Sequence, residues 1–316
     1  KAYTWWNYMK EVIDEGNSHQ LAGSFDNYAS FFEKVRDYGH HATADELHNT
    51  MEAMVGVEYG MQTGIWWGTC EHTRSQFMKA TYHDNPGKRL GYAEHRDNWT
   101  AASVYRHADG SVQGFGGTSE RQAVETSFHF TSLDRPVWYN GRYGRDHVML
   151  LPGGTGYQTG QVNAETLVDI QSGEDIMPYI PSGEYYIVNV NSNLMMGFST
   201  NPGTGWTSIK QVAYSSKLKY RQWRLEPAPQ SGDLTYWNLY LNSADNLLAD
   251  ILNWNADAGA DVGTYPGGNG TNEQWFLQYA GNGAFYIRSR FSAKYLQVAG
   301  GAKTTGANVE MGDFSG

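Results

Sequence analysis

One pattern recurs three times in the last part of this chain, at roughly forty-residue spacing. The first copy opens with Tyr185-Tyr186-Ile187-Val188-Asn189-Val190-Asn191-Ser192, continues through Leu194-Met195-Met196, and closes on Arg221-Gln222-Trp223-Arg224-Leu225. The second runs through Trp237-Asn238-Leu239-Tyr240-Leu241-Asn242-Ser243 and Leu247-Leu248-Ala249-Asp250-Ile251 to Asn272-Glu273-Gln274-Trp275-Phe276-Leu277. The third holds Phe285-Tyr286-Ile287-Arg288-Ser289-Arg290, then Tyr295-Leu296-Gln297-Val298-Ala299-Gly300-Gly301 and Gly306-Ala307-Asn308-Val309. Its closing Trp strand is not reached by Gly316, which reads as a truncation. Ordered blocks repeated in this way mark a supersecondary unit that buries its apolar face only against its copies.

The pattern over residues 183–316 resembles the ricin B-type lectin repeat, also called carbohydrate-binding module family 13. The resemblance implies a C-terminal β-trefoil, with Trp223 and Trp275 filling its core rather than touching sugar. Sugar sites of that family combine an Asp after the Leu-x pair, an aromatic platform, and an Asn just before the Trp strand. The carboxylate accepts two sugar hydroxyls, the ring stacks on a sugar face, and the Asn completes the hydrogen bonding. The second repeat carries all three, as Asp250, Tyr265 and Asn272. In the first, Gly197 stands at the Asp position; in the third, Gln297 stands there and Gly312 lies near the aromatic position.

Composition suits this reading. The chain has 11 Trp, 22 Tyr, 12 Phe and 37 Gly, a mixture that fits all-β folds and the stacking of rings on pyranoses. A net charge of −10, spread along the chain, disfavours nucleic acid and polyanionic polysaccharide partners. Cys70 is the only cysteine, so no internal disulfide is possible, which a secreted or periplasmic bacterial protein tolerates. No apolar run is long enough for a membrane span. Lys1 is not a natural start, so the N-terminus reads as trimmed. No cofactor is implied. His40-His41 and His48 match no standard metal spacing, and no metal is expected.

The first ninety residues read as alternating helices and strands. Ser24 is placed to cap a helix through Arg36, with Phe25, Tyr28, Phe31, Phe32 and Val35 on one stripe and Gly39 beyond its end. A second helix is predicted from about Asn49 to Tyr59, stopped by Gly60. Met61 to Gly68, with Trp66-Trp67 inside it, reads as a short buried strand, and a helix follows over Arg74 to Ala80. Such alternation implies parallel βα units. From Asn98 the texture becomes antiparallel. Trp99–Arg106 and Ser111–Gly117 flank an Asp109-Gly110 turn, and strands are predicted at Ala123–Thr131, Val137–Tyr139, His147–Leu151 and Glu165–Ile170.

The segments Ser18-His19-Gln20, Ala44-Asp45-Glu46-Leu47-His48-Asn49 and Ile65-Trp66-Trp67-Gly68 resemble the closing strands of a clan A (β/α)8 glycoside hydrolase with its companion β-domain. The expected architecture is multidomain: residues 1–92 the C-terminal part of a (β/α)8 barrel, 93–176 an antiparallel β-sandwich, 177–316 the trefoil. The resemblance implies Glu46 as the nucleophile of a retaining glycosidase, with Asp45 and Glu71 as rivals. It implies His19 and His48 as supporting residues, and Trp66 or Trp67 as the substrate platform. Adjacent strand residues face opposite sides, so one of the two indoles belongs to the core. A retaining enzyme needs a second carboxylate about 5 Å from the first. The resemblance places that acid/base on a fourth barrel strand, outside this sequence. The expected function is a secreted or cell-surface glycoside hydrolase acting on an oligosaccharide or polysaccharide. A non-catalytic lectin or adhesin is the alternative.

Overall fold

The computed structural model describes residues 2–19, 23–68, 70–119, 123–153, 163–228, 232–244, 246–268 and 270–315. Gln20 of the Ser18-His19-Gln20 segment lies outside them. The chain divides into two units. One comprises Lys1–Ser172 with Gln230–Leu234, the other Gly173–Pro229 with Thr235–Gly316. Among the described residues no helix is long and apolar enough to cross a membrane.

The first unit opens with α1 (Ala2–Met9), β1 (Glu15–Asn17), α2 (Phe25–Asp37), β2 (His41–Leu47), α3 (Thr50–Tyr59), β3 (Thr63–Trp66) and α4 (His72–Thr81). Local sequence sets these boundaries. Ser24 Oγ accepts from the Asn27 N–H at the start of α2, and Asn49 Oδ1 accepts from the Glu52 N–H at the start of α3. Gly60 ends α3 at φ +103°, a conformation that costs a side-chain-bearing residue more. The three strands are parallel in the order β1-β2-β3. β3 was expected to be buried. It is instead the edge strand of this sheet, with Ile65 exposed and only Trp66 half-buried. Among the described residues this segment has three parallel strands and four helices, and the strands form an open three-stranded sheet.

Antiparallel strands follow: β4 (Lys88–His95), β5 (Thr100–Arg106), β6 (Val112–Thr118), β7 (Thr126–Thr131), β8 (Val137–Tyr139), β9 (Arg142–Gly144), β10 (Asp146–Leu151) and β11 (Ala164–Ile170). β4, β5, β6 and β11 join one sheet, completed at its far edge by the two-residue β17 (Gly232–Asp233). Residue 92 falls inside β4. Gly116 and Gly117 let layers approach both faces of this sheet. A Cβ at Gly117 would lie 2.6 Å from the Met51 backbone nitrogen of α3, and one at Gly116 would lie 2.5 Å from Met149 Sδ of β10. On the helical side Phe32, Met51, Met54, Phe77, Tyr105 and Phe115 share one core. On the other, Phe128, Tyr139, Met149 and Leu151 form a smaller one.

The second unit is a three-part antiparallel assembly. Its strands are β12 (Gly183–Tyr185), β13 (Met195–Gly197), β14 (Thr207–Ser208), β15 (Lys210–Val212) and β16 (Trp223–Pro227). After β17 come β18 (Tyr236–Leu241), β19 (Leu247–Ile251), β20 (Val262–Pro266), β21 (Gln274–Gly281), β22 (Ala284–Ser289), β23 (Tyr295–Val298) and β24 (Val309–Gly312). Trp223 and Trp275 have no exposed surface. They sit among Ile209, Leu239, Leu241, Leu247, Val262 and Met311, drawn from all three repeats. Each indole N–H also finds a carbonyl, Trp223 that of Met196 at 3.0 Å and Trp275 that of Ala249 at 3.2 Å. Burying so large a ring without stranding its polar atom is what makes Trp usable here. The unit is a β-trefoil.

Candidate functional site

Two places gather the residues singled out by the sequence, one in each unit. In the first unit, the pairing of β2 with β3 shifts register between Ala44 and Leu47. An irregularity of this kind re-aims side chains at the end of a strand. It brings both Asp45 and Glu46 to His19, which follows β1: His19 Nδ1 is 2.9 Å from Asp45 Oδ1 and 3.2 Å from Glu46 Oε2. The other oxygen of Glu46 is 3.1 Å from His48 Nε2. Each carboxylate oxygen of Glu46 thus faces a different imidazole. Burial alone would raise the Asp45 carboxyl, but hydrogen bonds from Asn17 and His19, with the charge of His19, hold it below the usual range.

His48 is fixed from below. Its backbone N–H donates to Glu52 Oε2 at 2.9 Å, and Glu52 Oε1 accepts from Asn49 Nδ2 at 3.1 Å. Glu52 is fully buried. The Asn49-x-x-Glu52 spacing is that of a capping box, which is the local signal in the sequence for this support. Arg74 of α4 was missed. It donates to the carbonyl of His48 at 2.5 Å and to that of Trp67 at 3.2 Å, so one guanidinium ties the segments after β2 and β3 together. Arg74 is anchored by Glu165 of β11 through Nε and Nη2, at 2.9 and 2.6 Å, and Thr50 donates to the same carboxylate at 2.5 Å. Burial pushes the Glu165 carboxyl up, with the Arg74 charge opposing it.

The two indoles part company. Trp66 is half-buried against the core, with the Arg74 guanidinium 5.2 Å from its ring. Trp67 is 65% exposed and lies edge-on to the His48 ring at 6.4 Å. His40 and His41 stand apart from this cluster, bonded to the Lys10 carbonyl and to Thr63.

In the second unit, Asn272 Nδ2 donates to Asp250 Oδ1 at 2.7 Å. Both side chains are nearly buried. Asp250 pairs directly with Gly263 across the β19–β20 hairpin, and Tyr265 is two residues further on β20. Pleating therefore puts Asp250 and Tyr265 on one face, while Ala249 and Thr264 turn inward. Tyr265 is 49% exposed. Glu273 holds the adjoining loop by accepting from the N–H groups of Gly268 and Gly270. Burial pushes the Asp250 carboxyl up to about 6, with the charge of Glu273 adding and Asn272 opposing. Asn272 Oδ1 is buried and meets no donor among the described residues.

Comparison with known proteins bears on this second unit. Residues 219–312 match the family described as ricin-type β-trefoil lectin domain-like. The C-terminal region is a ricin B-type β-trefoil lectin domain. No curated protein matches the chain. Among solved structures it is similar to the designed threefold-symmetric protein ThreeFoil, at 29% identity over 42% of this chain and 91% of that one, TM-score 0.40. It is similar to the lactose complex of the Macrolepiota procera ricin B-like lectin, at 22% identity over 43% of this chain and 91% of that one, TM-score 0.36. It is also similar to an exo-β-1,3-galactanase from Clostridium thermocellum, at 14% identity over 71% of this chain and 54% of that one, TM-score 0.37. The chain spans about half the length of that galactanase.

Proposed function

We propose that this chain belongs to a secreted bacterial glycoside hydrolase of the retaining type, whose trefoil holds the enzyme on its glycan. In this reading β1, β2 and β3 with their helices are consecutive units of a clan A (β/α)8 barrel. Glu46 lies at the C-terminal end of a parallel strand, where such barrels carry their chemistry. The observation that carries the proposal is the grip on Glu46: one imidazole on each oxygen, with the exposed Trp67 ring beside His48. Held this way, the carboxylate presents a fixed lone pair to an anomeric carbon. Glu46 forms the glycosyl ester as the aglycone leaves with a proton from a second carboxylate, and water then releases the sugar. His19 and His48 orient Glu46. Trp67 serves as the sugar platform, because Trp66 is already covered by Arg74.

In the trefoil, Asp250 and Asn272 bond the hydroxyls of a sugar that stacks on Tyr265. A mechanism-based 2-deoxy-2-fluoroglycosyl fluoride, tried in the gluco and galacto forms on the full-length protein, tests the catalytic part. A stable mass increment on the peptide containing Glu46, lost in Glu46→Gln together with turnover, is the expected result. Turnover that survives Glu46→Gln removes Glu46 from the mechanism. Glycan binding with neither label nor turnover favours a non-catalytic lectin or adhesin, the reading that the lectin match over residues 219–312 supports most directly.

A further inference from the structure

Two indoles flank the second-repeat site from outside its motif. Trp206 lies in the first repeat, just before β14. Its ring covers Gly263 so closely that a Cβ there would lie 2.6 Å from Cζ2. Gly263 is the direct partner of Asp250, so this ring stands on the face that carries Asp250 and Tyr265. Trp206 is held in place by its indole N–H, 3.4 Å from Asp261 Oδ2, which also accepts from Ser208 at 2.5 Å. Trp254 lies beyond β19. A Cβ at Gly270 would meet Asn272 Oδ1 at 2.3 Å and Trp254 Cζ2 at 2.9 Å, so the ring and the amide oxygen crowd the same point. Trp254 has φ +54°, follows Asn253 at the same angle, and is 53% exposed. The third repeat makes the same turn with Gly300 and Gly301, both at φ +62°, so the second repeat holds a large ring at a place where the third has no side chain.

Resting on the reading of Asp250, Tyr265 and Asn272 as a sugar site, we infer that Trp206 and Trp254 extend it into a groove for a neutral glycan chain of at least two sugar units. One pyranose bonded to Asp250 and stacked on Tyr265 leaves no apolar face for two further rings on separate segments. Neighbouring sugars of the same chain supply those faces. Asp250, and Asp261 beside Trp206, place negative charge at the groove, which opposes sialylated or sulfated glycans.

Calorimetric titration of the whole chain tests this with two probe series: galactose with its β-1,3-linked di- and trisaccharides, and glucose with its β-1,4-linked di- and trisaccharides. In the series that binds, affinity rises with length. Trp254→Ala and Trp206→Ala each lower trisaccharide affinity about tenfold, leave monosaccharide affinity within about twofold, and Trp206→Phe restores most of the loss. Equal affinity for mono- and trisaccharide, or tryptophan variants that bind the trisaccharide as the parent does, overturns the groove while the Asp250 site stands. Binding of either series that survives Asp250→Ala overturns the site itself, and so does an absence of binding in both series.

Discussion

The first and second repeats of the trefoil have the same interior and opposite exteriors. Trp223 and Trp275 occupy the same place, each donating to the carbonyl one residue before the position that carries Asp250 in the second repeat. At that position the first repeat has Gly197, and the difference exceeds one missing carboxylate. A Cβ on Gly197 would lie 3.0 Å from Arg221 Cα and 3.1 Å from the Tyr220 carbonyl. Backbone has closed over the place where a sugar-binding side chain would begin. In the third repeat the Gln297 amide lies across Gly312 and donates to Glu310 at 3.0 Å. The fold thus tolerates three different surfaces because its stability resides in the shared core. Of the first two repeats, only the second leaves room beside its hairpin for the side chain of an Asp.

The core half of that comparison predicts the largest effect. Trp275→Ala removes a fully buried indole and should cost the trefoil about 3–5 kcal/mol in urea unfolding, with Trp223→Ala close behind. Both rings belong to one cluster, so either loss should lower the stability of all three repeats together. A Trp223→Ala variant that melts like the parent would break the claim of a common core.

Surface substitutions separate the repeats by smaller amounts. Asp250→Ala strands the buried Asn272 amide and should cost the trefoil about 1–3 kcal/mol, while it weakens glycan binding at least tenfold, the worth of a hydrogen bond to a charged group. The mirror experiment, Gly197→Asp, should destabilise the trefoil by about 1–3 kcal/mol through overpacking and add no binding. A doubled stoichiometry in that variant would show that the first repeat is closed by sequence alone and not by its backbone.

Much of this was legible in the chain, for identifiable reasons. Ser24, Asn49 and Gly60 act within one turn of helix, so their signals need no tertiary context. The repeat fixed the trefoil because each copy had to supply the same core positions. β4 was missed because it is an edge strand with a register shift between Arg89 and Gly91, and four exposed residues in a row, Lys88 to Gly91, hide its alternation. β17 contributes two residues from far along the chain to the sheet of the first unit, and nothing local announces it. The same limit applies at the sites. His19, Glu46 and His48 came from a family resemblance, but the register shift that turns Asp45 and Glu46 to one histidine is a property of the folded sheet. Arg74 and Glu165 are far apart in sequence and meet only through packing, as do Trp206 and Gly263.

The smallest effect is also specific to the second repeat, because Asp250 titrates and Gly197 has nothing to titrate. A sugar hydroxyl donates to the ionised carboxylate, so affinity should rise as pH passes through about 6, the value to which burial pushes Asp250. Lowering pH from 7.5 to 5 should therefore weaken binding about tenfold, following the ionised fraction. Stability should move the other way. The folded chain holds this proton more tightly than the unfolded chain, whose Asp titrates near 4, so between about pH 4 and pH 6 the trefoil loses stability as pH rises. Calorimetric titration and urea unfolding at both ends of that range measure the two slopes. Asp250→Asn keeps the shape but not the charge and should flatten both. If the variant retains the parent's pH dependence, the titrating group lies elsewhere, and the carboxylate is not what distinguishes the second repeat from the first.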